Sequence, residues 1–155
     1  MLKRIGLFMF LGLMMFGLTG CGSDNVEGSL EDLMTNVYEN LKDDEKPMML
    51  MNTVVDEENI EYYLGTSDIS YEEALASESG VGSIAHSVVL VRVSEDANIE
   101  DAKTKIKENV DPRKWICVGV EKEDIIVKNK GNLIILIMVE DENTREKLEE
   151  GFNNL

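Results

Sequence analysis

The stretch IIVKNKGNLIILIMV, Ile125 to Val139, decides the fold. Aliphatic residues crowd both of its ends, and Asn129-Lys130-Gly131 interrupts them with residue types that turn a chain. Gly131, having no Cβ, can take the positive φ that a hairpin loop requires. Two strand-like runs joined by a tight loop are therefore expected, and strands joined that way pair antiparallel.

Working outward, IAHSVVLVRV (Ile84 to Val93) is dense in β-branched residues and reads as a strand buried on both faces or nearly so. Ile69 to Ser79 has no decisive spacing and is expected as an irregular or edge strand. Asn98 caps a helix carrying Ile99, Ala102, Ile106 and Val110, which Asp111-Pro112 ends. Trp115 to Val120 is expected to be extended. A last helix from Asn143 or Thr144 uses Leu148, Phe152 and Leu155. Toward the N-terminus, Ser29-Leu30-Glu31-Asp32 resembles a capping box, and Leu30, Leu33, Met34, Val37 and Leu41 recur at helical spacing. Pro47 breaks that pattern, and a shorter helix is expected from Asp56 or Glu57 to Leu64, closed by Gly65. The fold class is α+β: about four strands in a mainly antiparallel sheet, strand-strand-helix repeated, with helices on one face and an N-terminal helix before them.

The first residues carry a different message. Lys3 and Arg4 precede Ile5 to Leu18, a run without one charged side chain. At about 1.5 Å per residue such a run spans about 21 Å as a helix, short of a hydrocarbon core about 30 Å thick. A cleavable signal is the better reading. Leu18-Thr19-Gly20-Cys21 then resembles the lipobox of bacterial lipoproteins in all four positions. That resemblance implies a diacylglyceryl group on the Cys21 thiol and cleavage just before it. The expected organisation is a signal peptide over 1–20, a lipidated tether over 21–28 and a single extracytoplasmic domain over 29–155.

Charge bounds the partners. The chain of 155 residues holds 15 Lys+Arg against 31 Asp+Glu, a net −16; loss of Lys3 and Arg4 leaves 13 against 31, or −18. Nucleic acid is not an expected partner, since so acidic a body lacks phosphate-neutralising surface. An anionic bilayer repels it too, by about 1 kcal/mol per charge within a Debye length of about 8 Å, but two acyl chains at about 0.8 kcal/mol per methylene outweigh that. Of the two cysteines, Cys21 is used by lipid, so Cys117 has no intramolecular partner and packing alone must hold the domain together.

The lipobox, the Tyr63-Leu64-Gly65 helix end, the strand after Ala85, the Lys130-Gly131-Asn132 turn and the closing Gly151-Phe152-Asn153-Asn154-Leu155 together resemble the Firmicutes lipoproteins catalogued as domain of unknown function 4358. The resemblance runs from about Ser29 to Leu155. It implies a fold and a location but no activity. In that family an acidic residue commonly follows the Ala of the central strand, whereas here Ala85 precedes His86 and Ser87.

Candidate chemistry is thin. Gly80-Val81-Gly82-Ser83-Ile84-Ala85 fits G-x-G-x-x-A with Glu100 downstream, but a dinucleotide site needs a helix opening at the glycines, and a strand follows. Glu31-Asp32, Asp56-Glu57-Glu58, Glu100-Asp101 and Glu140-Asp141-Glu142 sit at expected helix starts, where carboxylates complement the dipole. The lone His86 lacks triad or zinc partners, and Cys117 reads as a small buried hydrophobe. No catalytic residue, metal or cofactor is expected. Met48, Met49 and Met51 either pack onto the sheet or form an adaptable partner surface. The leading expectation is a membrane-anchored, non-catalytic binding module facing an envelope or membrane protein or an envelope polymer. The alternatives are an envelope hydrolase using paired carboxylates such as Glu72, Glu73 or Glu78, and a weak cation-binding protein.

Overall fold

A computed structural model describes residues 25–155. The expected signal segment, Leu18, Thr19, Gly20, Cys21 and the first part of the expected tether lie outside the described residues. The elements run α1 (Leu30–Val37), β1 (Leu50–Val54), α2 (Ile60–Leu64), β2 (Tyr71–Ser79), β3 (His86–Val93), α3 (Ile99–Asn109), β4 (Ile126–Lys130), β5 (Leu133–Val139) and α4 (Glu142–Asn153). The five strands form one antiparallel sheet in the order β1-β2-β3-β5-β4.

Local sequence accounts for most boundaries. Ser29 and Asn98 accept from the backbone N–H of Asp32 and Asp101, as their positions three residues ahead of those acids require. Asp141 does the same for Thr144, so α4 begins one residue earlier than its composition suggests. The β4–β5 hairpin closes through Gly131 at φ +54 and Asn132, with Lys130 opposite Leu133. Gly151 is required by packing: a Cβ there would lie 2.2 Å from the Val37 carbonyl oxygen, so α4 crosses α1 at backbone distance.

The α+β class and the antiparallel sheet stand as expected, and details change in three places. The sheet has five strands, because Leu50–Val54 extends it beyond β2; β2 is consequently an inner strand, with a bulge between Tyr71 and Glu73. The helices lie on both faces instead of one. Leu75, Val88, Leu90, Leu133, Ile135 and Ile137 pack with α1 and α4, while Ala74, Ala76, Val89, Val91, Ile134, Leu136 and Met138 pack with α2 and α3. Every residue of β5 is buried, which a sheet covered on one side does not permit. Trp115 to Val120 is a loop, not a strand: Val120 donates to the Pro112 carbonyl, Ile116 to that of Gly82, and Cys117 takes φ +64. That turn leaves Cys117 exposed, where alternation in the sequence places it inside.

The segment expected as a tether is in part tied to the domain. Val26 is buried against α1, and Arg92 at the end of β3 donates to the carbonyls of Val26 (2.5 Å) and Gly28 (2.7 Å) while its Nε holds Glu73 at 2.8 Å.

Candidate functional site

Two polar constellations occupy opposite faces of the sheet at the end where β2 meets β3. On the α2 face, Lys114 reaches in from the loop after α3. Its ammonium lies 2.5 Å from Glu78 Oε1 and donates to Ser87 Oγ at 3.2 Å. The rings of Tyr62, Tyr63 and Trp115 stand 4.5, 5.0 and 5.4 Å from it. Tyr62 donates its hydroxyl to Glu78 Oε2 at 3.4 Å. Burial pushes the Lys114 ammonium down, and Glu78 opposes that shift. Burial and the Glu78 charge push the Tyr62 phenol up to about 12.

A buried lysine beside a carboxylate is a place to look for catalysis. Catalysis also needs a cleft for substrate. The clefts between α1 and α4, between α3 and β4, and along the Glu45–Thr144 rim are lined by neither Lys114 nor Glu78. The constellation instead locks loop 111–120 over the sheet. Each charge satisfies the other, and the three rings shield the ammonium from water.

On the α1 face, His86 is buried and its Nε2 lies 2.7 Å from the Tyr38 hydroxyl. Burial pushes the imidazole down to about 4 and the phenol well above its ordinary value. His86 is therefore neutral at pH 7 and shares one hydrogen bond with Tyr38. Ser77, 1% exposed, stands beside the same phenol, and its hydroxyl offsets a part of the upward push of burial. A cavity of about 180 Å³ opens beside it, lined by Met34, Thr35, Tyr38, Lys46, Leu50 and Asn52.

Between these faces runs the free edge of β1. Met48, Met49 and Met51 are 70%, 64% and 53% exposed, so they belong to the surface and do not pack onto the sheet. Their turn is rigidly placed: Ser79 Oγ donates to the Met48 carbonyl at 2.8 Å, Gly80 N donates to that of Met49 at 2.9 Å, and Met49 sits at φ +54. Tyr62 and Ile116 are exposed at the same end of the sheet, Ile116 against Gly82.

Other sequence candidates fall apart in space. Glu73 pairs with Arg92 and Glu78 with Lys114. Five strand positions separate them, about 17 Å at about 3.4 Å each, outside the roughly 5 to 9.5 Å that two glycosidase carboxylates need. Glu72 is exposed near the far end of β2. Gly80 to Ala85 forms the turn into β3, with no helix after it. Glu31, Asp32, Glu100, Asp101 and Asp141 cap or begin helices, and the Thr144 N–H and hydroxyl hold the Asp141 carboxyl below its usual range. Among the described residues no three His, Cys, Asp or Glu side chains converge as a metal site would require. The Lys114 constellation has no sequence signal, because its partners come from α2, β2 and β3.

Comparison with known proteins finds no family model, curated protein or solved structure that matches the chain.

Proposed function

We propose that this protein is a lipid-tethered, extracytoplasmic binding module without catalysis, and that the end of the sheet carrying Met48, Met49 and Met51 faces its partner. The lipobox ending at Cys21 supports the anchor. The resemblance to the lipoproteins of domain of unknown function 4358 supports the location. The observation that carries the binding reading is where the methionines lie relative to the tether.

Arg92 fixes Val26 and Gly28 at one end of β3, whereas the methionine turn sits by Ser79 and Gly80, at the His86 end. Six strand positions separate Arg92 from His86, about 20 Å at about 3.4 Å each. Four residues lie between Cys21 and Val26, and the five steps from one to the other reach at most about 18 Å. A bilayer holding Cys21 therefore lies beneath the Arg92 end, and the exposed thioethers point away from it. Apolar side chains so placed suit a protein partner better than lipid. Met adds adaptability, since an unbranched thioether refits to varied surfaces at little cost.

Two measurements in intact cells test this. Cys21→Ser should abolish fatty-acid labelling and release the chain from membranes; unchanged sedimentation and maturation would overturn the anchor. A photoreactive side chain at Met49 should give discrete, saturable adducts that the same group at Asn129 on the opposite edge does not give. Equal and diffuse labelling from both positions would overturn the binding reading.

A further inference from the structure

We propose that the cleft between α1 and α4 is a second binding site, for an uncharged, hydroxyl-rich saccharide unit read by the side-chain amides of Asn36, Asn40 and Asn154. The cleft lies at the Arg92 end of the sheet, away from the methionines. Lys130 borders it and pairs with Leu133, which in turn pairs with Arg92.

The fold builds the cleft. Gly151 lets α4 cross α1 at backbone distance, and helices that touch at one point separate to either side of it. The space left is about 720 Å³, within the roughly 300 to 1,000 Å³ of small-ligand sites. Leu33, Asn36 and Asn40 recur at helical spacing along α1 and the turn after it, so they line one wall. Asn154, which caps α4, lines the other.

The amides supply the chemistry. Each carries two donors and an acceptor side by side, without charge. Elsewhere such groups are spent inside the molecule: Asn59 and Asn109 donate to the Val54 and Lys105 carbonyls, Asn98 caps α3, and Asn129 accepts from Lys103 and donates to Gly131. Among the described residues no hydrogen bond engages the amides of Asn36, Asn40 or Asn154. A sugar hydroxyl is likewise donor and acceptor at once, so neighbouring hydroxyls on one ring exchange hydrogen bonds with converging amides and replace the water held there.

The rest of the lining excludes other ligands. Glu27 and Glu39 are exposed on it, and among the described residues neither pairs with a cation. Lys130, the one cation among the lining residues, is turned to the Asn153 carbonyl at 3.2 Å. An anion therefore meets repulsion from two carboxylates and from a chain at −16. An apolar peptide anchor finds no socket, because Val26 and Leu33 are 8% and 5% exposed. A peptide backbone has no edge to pair with, since the cleft touches a strand only at the end of β4. Carboxylates, which only accept, suit a ligand rich in O–H donors. Such a unit belongs either to the headgroup of a neutral glycolipid or to a glycan outside the bilayer; both present the same hydroxyls.

The test titrates the full chain, in neutral detergent, with glucose, galactose, N-acetylglucosamine and their uncharged disaccharides while side-chain amide resonances are followed. At least one sugar should saturably shift those of Asn36, Asn40 and Asn154, leave that of Asn52 on β1 unmoved, and bind equally at low and high salt, as an uncharged ligand does. Asn36→Ala and Asn40→Ala, both at exposed positions, should keep the melting temperature and each weaken binding about fivefold, whereas Asn52→Ala should not weaken it. With the chain in phosphatidylcholine vesicles, a diacylglycerol bearing the same sugar should compete with the soluble form if the source is a headgroup. Failure to compete beside soluble binding assigns the sugar to a glycan outside the bilayer, and the site stands in either case. No saturable shift with any sugar overturns the proposal. So does binding that survives both substitutions, or a cleft that answers only to a Lys-rich peptide or to calcium and loses that answer in salt. The Met49 adducts report on the other end of the molecule, so this proposal and the reading of the methionines fall separately.

Discussion

The two edges of the sheet are each five residues long and carry opposite instructions. β4 (IVKNK) is half-buried and guarded: Lys128 pairs with Glu149 on α4, Lys130 donates to the Asn153 carbonyl at 3.2 Å, and Lys103 on α3 donates to Asn129 Oδ1 at 2.8 Å. β1 (LMNTV) carries no lysine, and at its last residue the Val54 carbonyl accepts from Asn59 Nδ2 at 3.1 Å. Two lysines in five positions make the first a stop; their absence makes the second a continuation. Edge character is thus written in side chains, since the backbone is the same kind of ribbon at both sides.

The largest way to break this contrast is to loosen the cover of β4. Phe152 is buried under α4, and Phe152→Ala should cost about 4 kcal/mol, seen as a fall in the denaturation midpoint. Amides of Ile126–Lys130 should then exchange faster through local opening than those of Leu50–Val54. Equal acceleration at both edges would mean that α4 does not guard β4.

Acid sharpens the contrast from the other side, because the Tyr38–His86 pair lies on the face that the β1 groove shares. The folded His86 titrates near 4 against about 6.5 unfolded, so the folded state disfavours its proton. Stability from this group is complete above about pH 6.5 and is lost as pH falls through 4, on the order of 3 kcal/mol in all. A melting temperature that falls between pH 6.5 and 5 in the wild type, and stays flat over that range in His86→Gln, would bear this out. Parallel slopes would assign the effect to carboxylates.

Smaller effects follow at the edges themselves. Lys128→Ala should cost less than about 1 kcal/mol, as exposed pairs do, while raising the tendency of β4 to associate. Met51→Ala, half-exposed, should change stability by no more than about 0.5 kcal/mol. A larger loss at Met51 would show that it packs in solution and is no docking side chain.

Much of the architecture was legible because it rests on local chemistry. Ser29 and Asn98 announce helices by the N–H groups they satisfy, and Gly131 announces the hairpin by the φ it permits. β1 was missed for a physical reason: strand patterns record burial, and a strand exposed from Met51 to Val54 carries none. The two-sided cover was present in the sequence, since neither β3 nor β5 alternates, and placing all helices on one face disregarded it. Cys117 shows the opposite failure. Its alternation with Trp115 is real, but the chain there is bent by hydrogen bonds to Pro112 and Gly82 that spacing does not encode. Of the candidate site, the methionines were legible as a group, whereas Ser77 and Lys114 acquire meaning only from partners distant in sequence.

The Arg92 clamp has a mechanical consequence. Pull applied through the N-terminal end meets Val26 and Gly28 before it meets any strand. Two hydrogen bonds and one buried valine yield first, paying out about 14 Å of chain from Asn25 to Gly28 while the sheet stays whole. The arrangement works as a fuse: a pull on that end lengthens the free chain before it threatens the fold.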